Sequence, residues 1–226
     1  DALLEALRER LSWRYPYAAA AAIPSKRSVS ELLHEREISL RPAPSFSRAA
    51  DAPLSAAQRG TAVHAVLREI DIAACPDGDA LGFVRAEIAR MREWGILSTA
   101  QAEAVSASEI ARFLESGIGN RLRRAPRVER ELEFAVLLRA EELGLAQDAE
   151  PVLLQGVIDC CFMEDGGWVL LDYKTDRLLP GETAQSAAQA HAQQLSLYAL
   201  ALARLSGLPV HARVVALLSI GEAVEV

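Results

Sequence analysis

Two aspartates and a lysine in the last third of the chain are the residues whose types and spacing could do chemistry. Asp159 closes the run Gln155-Gly-Val-Ile-Asp159, and Asp172 and Lys174 stand two apart in Trp168-Val-Leu-Leu-Asp172-Tyr-Lys174-Thr-Asp176. Between the runs lies Asp165-Gly166-Gly167, a turn signal. A two-residue turn at Asp165-Gly166 makes paired residue numbers sum to 331 and sets Asp159 opposite Asp172. A turn at Gly166-Gly167 sets Asp159 opposite Lys174 instead. Either register keeps the three side chains on one face, because strand side chains alternate with period two, whereas a three-residue loop without a bulge breaks the arrangement.

Carboxylates facing each other at roughly 5 Å across a ladder repel, and neither is cheap to bury in an apolar sheet. A positive partner is required. A hard divalent cation, Mg²⁺ or Mn²⁺, suits an all-oxygen pair that leaves room for waters and a phosphate. Lys174 then points at the same place, where an ammonium holds an attacking water and offsets charge developing on phosphate. That set is complete for phosphodiester hydrolysis. Taken singly, an Asp at a strand end is ordinarily a solvated loop residue and an Asp-X-Lys a surface pair. Here the aspartates interrupt apolar strands and satisfy one register constraint together, which favours chemistry.

The elements that must position these groups follow from periodicity. Residues 1–22 read as a helix and an alanine-rich stretch, with Trp13, Tyr15 and Tyr17 around Pro16 as a packing cluster. Ser28-Val-Ser-Glu31 is a capping-box pattern opening a short helix to about Glu35, and a connector bearing Pro42, Pro44 and Pro53 follows. Helices are expected over 55–72, 79–94 and 99–116. Strands are expected over 129–138, 152–163, 168–174 and 210–218, with a helix over 184–205 before the last. The expected fold is α/β, a central mixed sheet flanked by helices with a helical N-terminal half. The expected division is a helical and connector segment, 1–54, packing on a catalytic domain, 55–226.

Composition narrows the function. The 226 residues are 51% hydrophobic, enough for one core. The net charge of −7 argues against gripping nucleic acid by bulk electrostatics, so any such contact is local. Only Lys26 and Lys174 are lysines, and one of them falls inside the strongest motif. The three cysteines, Cys75, Cys160 and Cys161, lack the spacing of a zinc site or iron–sulfur cluster and read as buried reduced thiols. No GxxxxGK[ST] loop and no apolar span of membrane length occur, so an ATP motor is not expected and a cytoplasmic location is. The chain opens on Asp1 in a helical pattern, which reads as a piece of something longer.

These residues resemble the RecB/AddA-type branch of the PD-(D/E)XK nucleases. Gly156 with Asp159, Asp172-Tyr-Lys174-Thr-Asp176, and Gln194-Leu-Ser-Leu-Tyr198 stand in that branch's order, and Gly60-Thr-Ala-Val-His64 is similar to its GxxxH motif. Trp13-Arg-Tyr-Pro-Tyr17 and Ser28-Val-Ser-Glu-Leu32 are similar to the segment that precedes the nuclease in AddA proteins. The resemblance implies a restriction-endonuclease-like core and metal ligation by Asp159, Asp172, the carbonyl of Tyr173, and His64. It makes Lys174 the catalytic lysine, and it makes Glu131 a supporting carboxylate in Arg130-Glu131-Leu-Glu133. Parity alone does not separate Glu131 from Glu133. Gln194 and Tyr198 would position the strand or the catalytic groups; without the resemblance they read equally as an amphipathic helix edge, and His64 reads as a core histidine. His191 and His211 stay unassigned. The implied activity is Mg²⁺-dependent hydrolysis of DNA, single-stranded and fed from helicase domains of the same parent chain, in recombinational repair with an AddB-like partner. The absence of a cysteine quartet points away from the iron–sulfur branch. The competing readings are a nuclease-fold domain that binds DNA or a partner without cutting, and a free-standing phage-type exonuclease.

Overall fold

The computed structural model describes residues 5, 26–34, 54–144 and 151–226. The expected N-terminal helix, the Trp13–Tyr17 cluster and the proline connector lie outside the described residues. In chain order the elements are β1 (Lys26–Ser28), α1 (Val29–His34), α2 (Ala56–Glu69), α3 (Ala80–Glu93), α4 (Thr99–Ala104), α5 (Ala107–Glu115) and α6 (Gly117–Arg124). Then follow β2 (Val128–Leu138), β3 (Val152–Glu164), β4 (Gly167–Lys174), α7 (Ala184–Gln189), α8 (Ala192–Ser206), β5 (Val210–Leu217) and β6 (Glu222–Glu225).

Serine side chains set many of the helix starts. Ser28 and Glu31 bond reciprocally at 2.7 and 3.1 Å, the expected capping box at the head of α1. Ser55 and Gln58 do the same for α2. The single helix expected over 99–116 is two, because the Ser106 side chain accepts from Glu109 N–H and starts α5 afresh, and Ser116 then caps α6. The helix expected over 184–205 also divides, at Ala190-His191. The short edge strands β1 and β6 go beyond the sequence reading.

Six strands form one mixed sheet. β2 runs antiparallel along β3 from Val128↔Phe162 to Leu138↔Val152. On the other edge of β3, parallel β1 takes Leu153–Gln155 and antiparallel β4 takes Cys160–Glu164. Gly156 to Asp159 therefore have no ladder partner on that edge among the described residues. β5 lies parallel to β4, and β6 antiparallel to β5.

Two cores sandwich the sheet. Helices α2 to α6 pack Val66, Leu67, Ile88, Ile110 and Leu114 onto Cys160, Phe162, Leu171 and Tyr173. On the opposite face, α1 and α8 pack Val29, Leu195, Tyr198 and Leu202 onto Phe134, Leu154, Ile158, Cys161 and Leu170. The mixed sheet flanked by helices is the expected class. One detail departs from strand parity. Ile158 and Cys160, two apart in β3, belong to opposite cores, as do Leu132 and Val128 in β2. Alternation resets at Asp159 and at Glu131, the step the ladder skips between Arg130↔Cys160 and Leu132↔Ile158. Glu131 has φ +49°, a left-handed backbone that L side chains adopt only under constraint.

Candidate metal and nuclease site

The β3–β4 hairpin turns on Asp165 and Gly166, with φ +49° and +79°. Positive φ at both central residues makes it the tight two-residue turn whose twist suits a hairpin. Pairs from Cys160↔Leu171 to Glu164↔Gly167 follow, so the 331 register holds and Asp159 with Asp172 forms the next step. There the strands part. Tyr173 N–H donates to Asp159 Oδ2 at 2.9 Å, so the carboxylate reaches across to the backbone of β4. Asp172, 1% exposed, pairs with Lys174, whose Nζ lies 2.8 Å from Asp172 Oδ2.

α2 supplies the third wall. Gly60 lets it approach the end of β4, since a methyl group there would come within 3.3 Å of Thr175 Oγ1. One turn later His64 meets the hairpin. Its Nε2 is 3.2 Å from the Tyr173 carbonyl oxygen, and its Nδ1 is 3.6 Å from Asp159 Oδ1 and 3.7 Å from Glu131 Oε1. With Nε2–H donating to that carbonyl, the Nδ1 lone pair faces two carboxylates, an arrangement that needs a proton or a metal cation between them. Ligand atoms of His64, Glu131 and Asp159 all lie within 4.8 Å of one another. A cavity of about 390 Å³ opens on His64, Glu131, Gly60 and Arg68.

The electrostatics agree with that geometry. Burial and the neighbouring Asp172 carboxylate push the Asp159 carboxyl up to about 6, against the pull of His64, Tyr173 N–H and Lys174. An acid held that high at the heart of a sheet lacks enough positive charge. A divalent cation would supply it, and the imidazole nitrogen and carboxylate oxygens gathered here are donors that could hold one.

α8 closes the opposite side. Gln194 Nε2–H donates to the Tyr198 hydroxyl at 3.0 Å, and burial raises that phenol to about 12. A methyl at Gly156 would meet Phe134 at 2.9 Å and Tyr198 at 3.2 Å, which is why glycine stands before Asp159. The predicted residues thus gather in three neighbouring groups: His64, Glu131 and Asp159 with the Tyr173 carbonyl, Asp172 with Lys174, and Gln194 with Tyr198; Asp159, where alternation resets, does not share the regular strand face expected for it with Asp172 and Lys174. Asp172 is not among the tight trio. Glu131 faces the site, whereas Glu133 is exposed.

Two contributors escaped the sequence reading. Arg130 Nη1 donates to the carbonyls of Leu67 at 3.2 Å and Ile70 at 2.5 Å, tying the end of the His64 helix to the Glu131 strand. His191, at the start of α8, has its pKa lowered by burial and then by Lys174. Its spacing of three from Gln194 was the available signal. Cys75, Cys160 and Cys161 are free and buried, and burial lifts the latter two thiols to about 12.

Among the described residues no helix is long and apolar enough to cross a membrane. The chain is 36% identical over 241 aligned residues to the A subunit of the ATP-dependent helicase/nuclease of Desulforamulus reducens, covering 99% of itself and 19% of that protein. It is 37% identical to the protein of the same name from Geobacillus kaustophilus, covering 90% of itself and 18% of the relative. For that of Heliobacterium modesticaldum the figures are 40%, 76% and 12%. The chain therefore spans about a fifth or less of the length of these relatives. The family model of the PD-(D/E)XK nuclease superfamily matches residues 32–223, and the chain belongs to that superfamily.

Proposed function

We propose that this chain is a Mg²⁺-dependent deoxyribonuclease domain, the nuclease part of an ATP-dependent helicase/nuclease that acts on single-stranded DNA during recombinational repair. The observation that carries the reading is the convergence of His64, Glu131 and Asp159 beside the buried Asp172 and its partner Lys174. The relatives' names support the helicase attachment over a free-standing exonuclease. An AddB-like partner and a cytoplasmic location go with it. A binding-only domain is disfavoured because Asp159, Asp172 and Lys174 are all present.

His64, Asp159, Asp172 and the Tyr173 carbonyl would hold the ion, with Glu131 beside them. A divalent ion there supplies Lewis-acid charge stabilisation and a lowered pKa for water. Lys174, oriented by Asp172, offers its ammonium to the phosphoryl oxygen that gains charge. Water forms the new bond to phosphorus in line as the ester bond breaks, and the departing oxygen takes a proton. Gln194 and Tyr198, bonded to each other on α8, position the strand or the catalytic groups.

The test is digestion of labelled single-stranded DNA in Mg²⁺ by the 226-residue chain, beside Asp172→Ala and Lys174→Ala. Each substitution should cost roughly 10²–10³ in rate, the scale of losing one transition-state charge contact. Three folded proteins cutting at one rate, or none cutting, would remove the catalytic reading.

A further inference from the structure

We propose that the cavity at the exit of β4 is a second phosphate subsite, taking a backbone phosphate of the same DNA strand next to the one being cut. The nature of the strand rests on the nuclease reading above. The cavity is about 350 Å³ and is lined by Arg59, Ser106, Glu109, Thr175, Asp176 and Arg177 among others.

Arg59 and Arg177 reach it from two elements, the first turn of α2 and the segment just beyond β4. Neither arginine makes a salt bridge or side-chain hydrogen bond among the described residues. At the hairpin end of the sheet, by contrast, one of the two arginines lining the cavity, Arg121, is engaged with Glu164 at 2.5 Å, which leaves a single unengaged fork, Arg124, among the described residues. An unengaged guanidinium presents a planar fork of donors that matches a phosphate bidentately. Two such forks at one cavity are a phosphate receptor.

Their placement ties the cavity to the reacting centre. Arg59 precedes Gly60, the residue at which α2 meets Thr175, and His64 follows one turn later on the same helix. Arg177 stands three residues beyond Lys174. The loop between them is held, because the Ser219 hydroxyl donates to the Asp176 carbonyl at 2.7 Å. A strand laid across the His64–Glu131–Asp159 site would meet Arg59 and Arg177 on leaving it past Gly60 and Thr175. Glu109 and Asp176 share the rim and offset the two guanidinium charges, so the hold comes from fork geometry and stays weak enough for a strand that must advance.

Binding of a labelled single-stranded oligonucleotide is followed by fluorescence anisotropy against salt, in Ca²⁺. The proteins are the wild-type chain, Arg59→Ala/Arg177→Ala and Glu109→Gln. Cleavage in Mg²⁺ by the wild type is the control for the underlying reading. The double variant should bind roughly tenfold more weakly and flatten the log–log salt dependence by about 0.7, the share of one phosphate. Glu109→Gln should bind more tightly than wild type. A scan of single neutral methylphosphonates should find two adjacent sensitive positions in the wild type and only one in the double variant. A double variant that melts like wild type yet keeps its salt slope and both sensitive positions overturns the subsite, as does a Glu109→Gln that binds no more tightly. If the wild type does not cut at all, the nuclease reading falls and the subsite with it.

Discussion

Replacing Asp159 by Asn should make the metal-free protein more stable at pH 8. Burial and the Asp172 carboxylate hold the Asp159 carboxyl near 6 in the folded chain against an ordinary 3.8. A folded pKa above the unfolded one means that the native state binds more protons between those values. Stability therefore falls as pH rises through that window, and above about 6 the whole cost of about 3 kcal/mol stands. The charge belongs to the Asp159–Asp172 pair, so neutralising one member relieves both. An asparagine oxygen can still accept from Tyr173 N–H, but it gives up a charge-assisted bond for a neutral one, a loss of about 1 kcal/mol. The net gain of about 2 kcal/mol corresponds to a melting rise of about 4–8 °C for a chain of this size. The assay is thermal unfolding in EDTA at pH 8 and pH 4.5, with the gap expected at the higher pH and mostly closed at the lower. Mg²⁺ should then raise wild type by about 2.7 kcal/mol at a hundred times its dissociation constant and raise Asp159→Asn little. A variant that melts below wild type in EDTA at pH 8, or one that gains as much from Mg²⁺, refutes the reasoning.

Gly156→Ala puts a methyl 2.9 Å from Phe134 and 3.2 Å from Tyr198, and should cost about 1–3 kcal/mol in urea unfolding and slow DNA digestion by displacing Tyr198. Arg130→Met frees the Leu67 and Ile70 carbonyls at the end of the His64 helix. It should lose about 2 kcal/mol and raise the Mg²⁺ concentration for half-maximal activity roughly tenfold, whereas a purely structural role would leave that midpoint alone. Glu131→Gly should unfold at higher urea than Glu131→Ala, by about 1 kcal/mol, because φ +49° strains every residue but glycine.

What the sequence disclosed, and what it hid, divides at one step of the sheet. Asp165-Gly166-Gly167 announced the hairpin but left two registers open, of which the structure takes the Asp165-Gly166 turn, and the period-two pattern placed Asp172 and Lys174 together but missed the reset of alternation at Asp159. The Ser28–Glu31 capping box marked the start of α1, whereas Ser106 fell inside, and Ser116 at the end of, the single helix expected over 99–116, and neither was read as a fresh beginning. β1 and β6 were invisible because three- and four-residue strands carry no periodicity and take their partners from far along the chain. Arg130 was hidden for a related reason, its acceptors being carbonyls sixty residues away. Parity could not separate Glu131 from Glu133, and the structure explains why. Alternation is broken at Glu131 itself, by a backbone angle that only the surrounding packing imposes, and it breaks again across the ladder at Asp159. The local rule fails at the two carboxylates that face His64 Nδ1, which is where strain and a buried acid are tolerable only if something is gained from holding them there. A regular strand would have carried Glu131 and Asp159 past the helix on the ordinary pleat. The kinked one delivers both carboxylates to the same imidazole nitrogen.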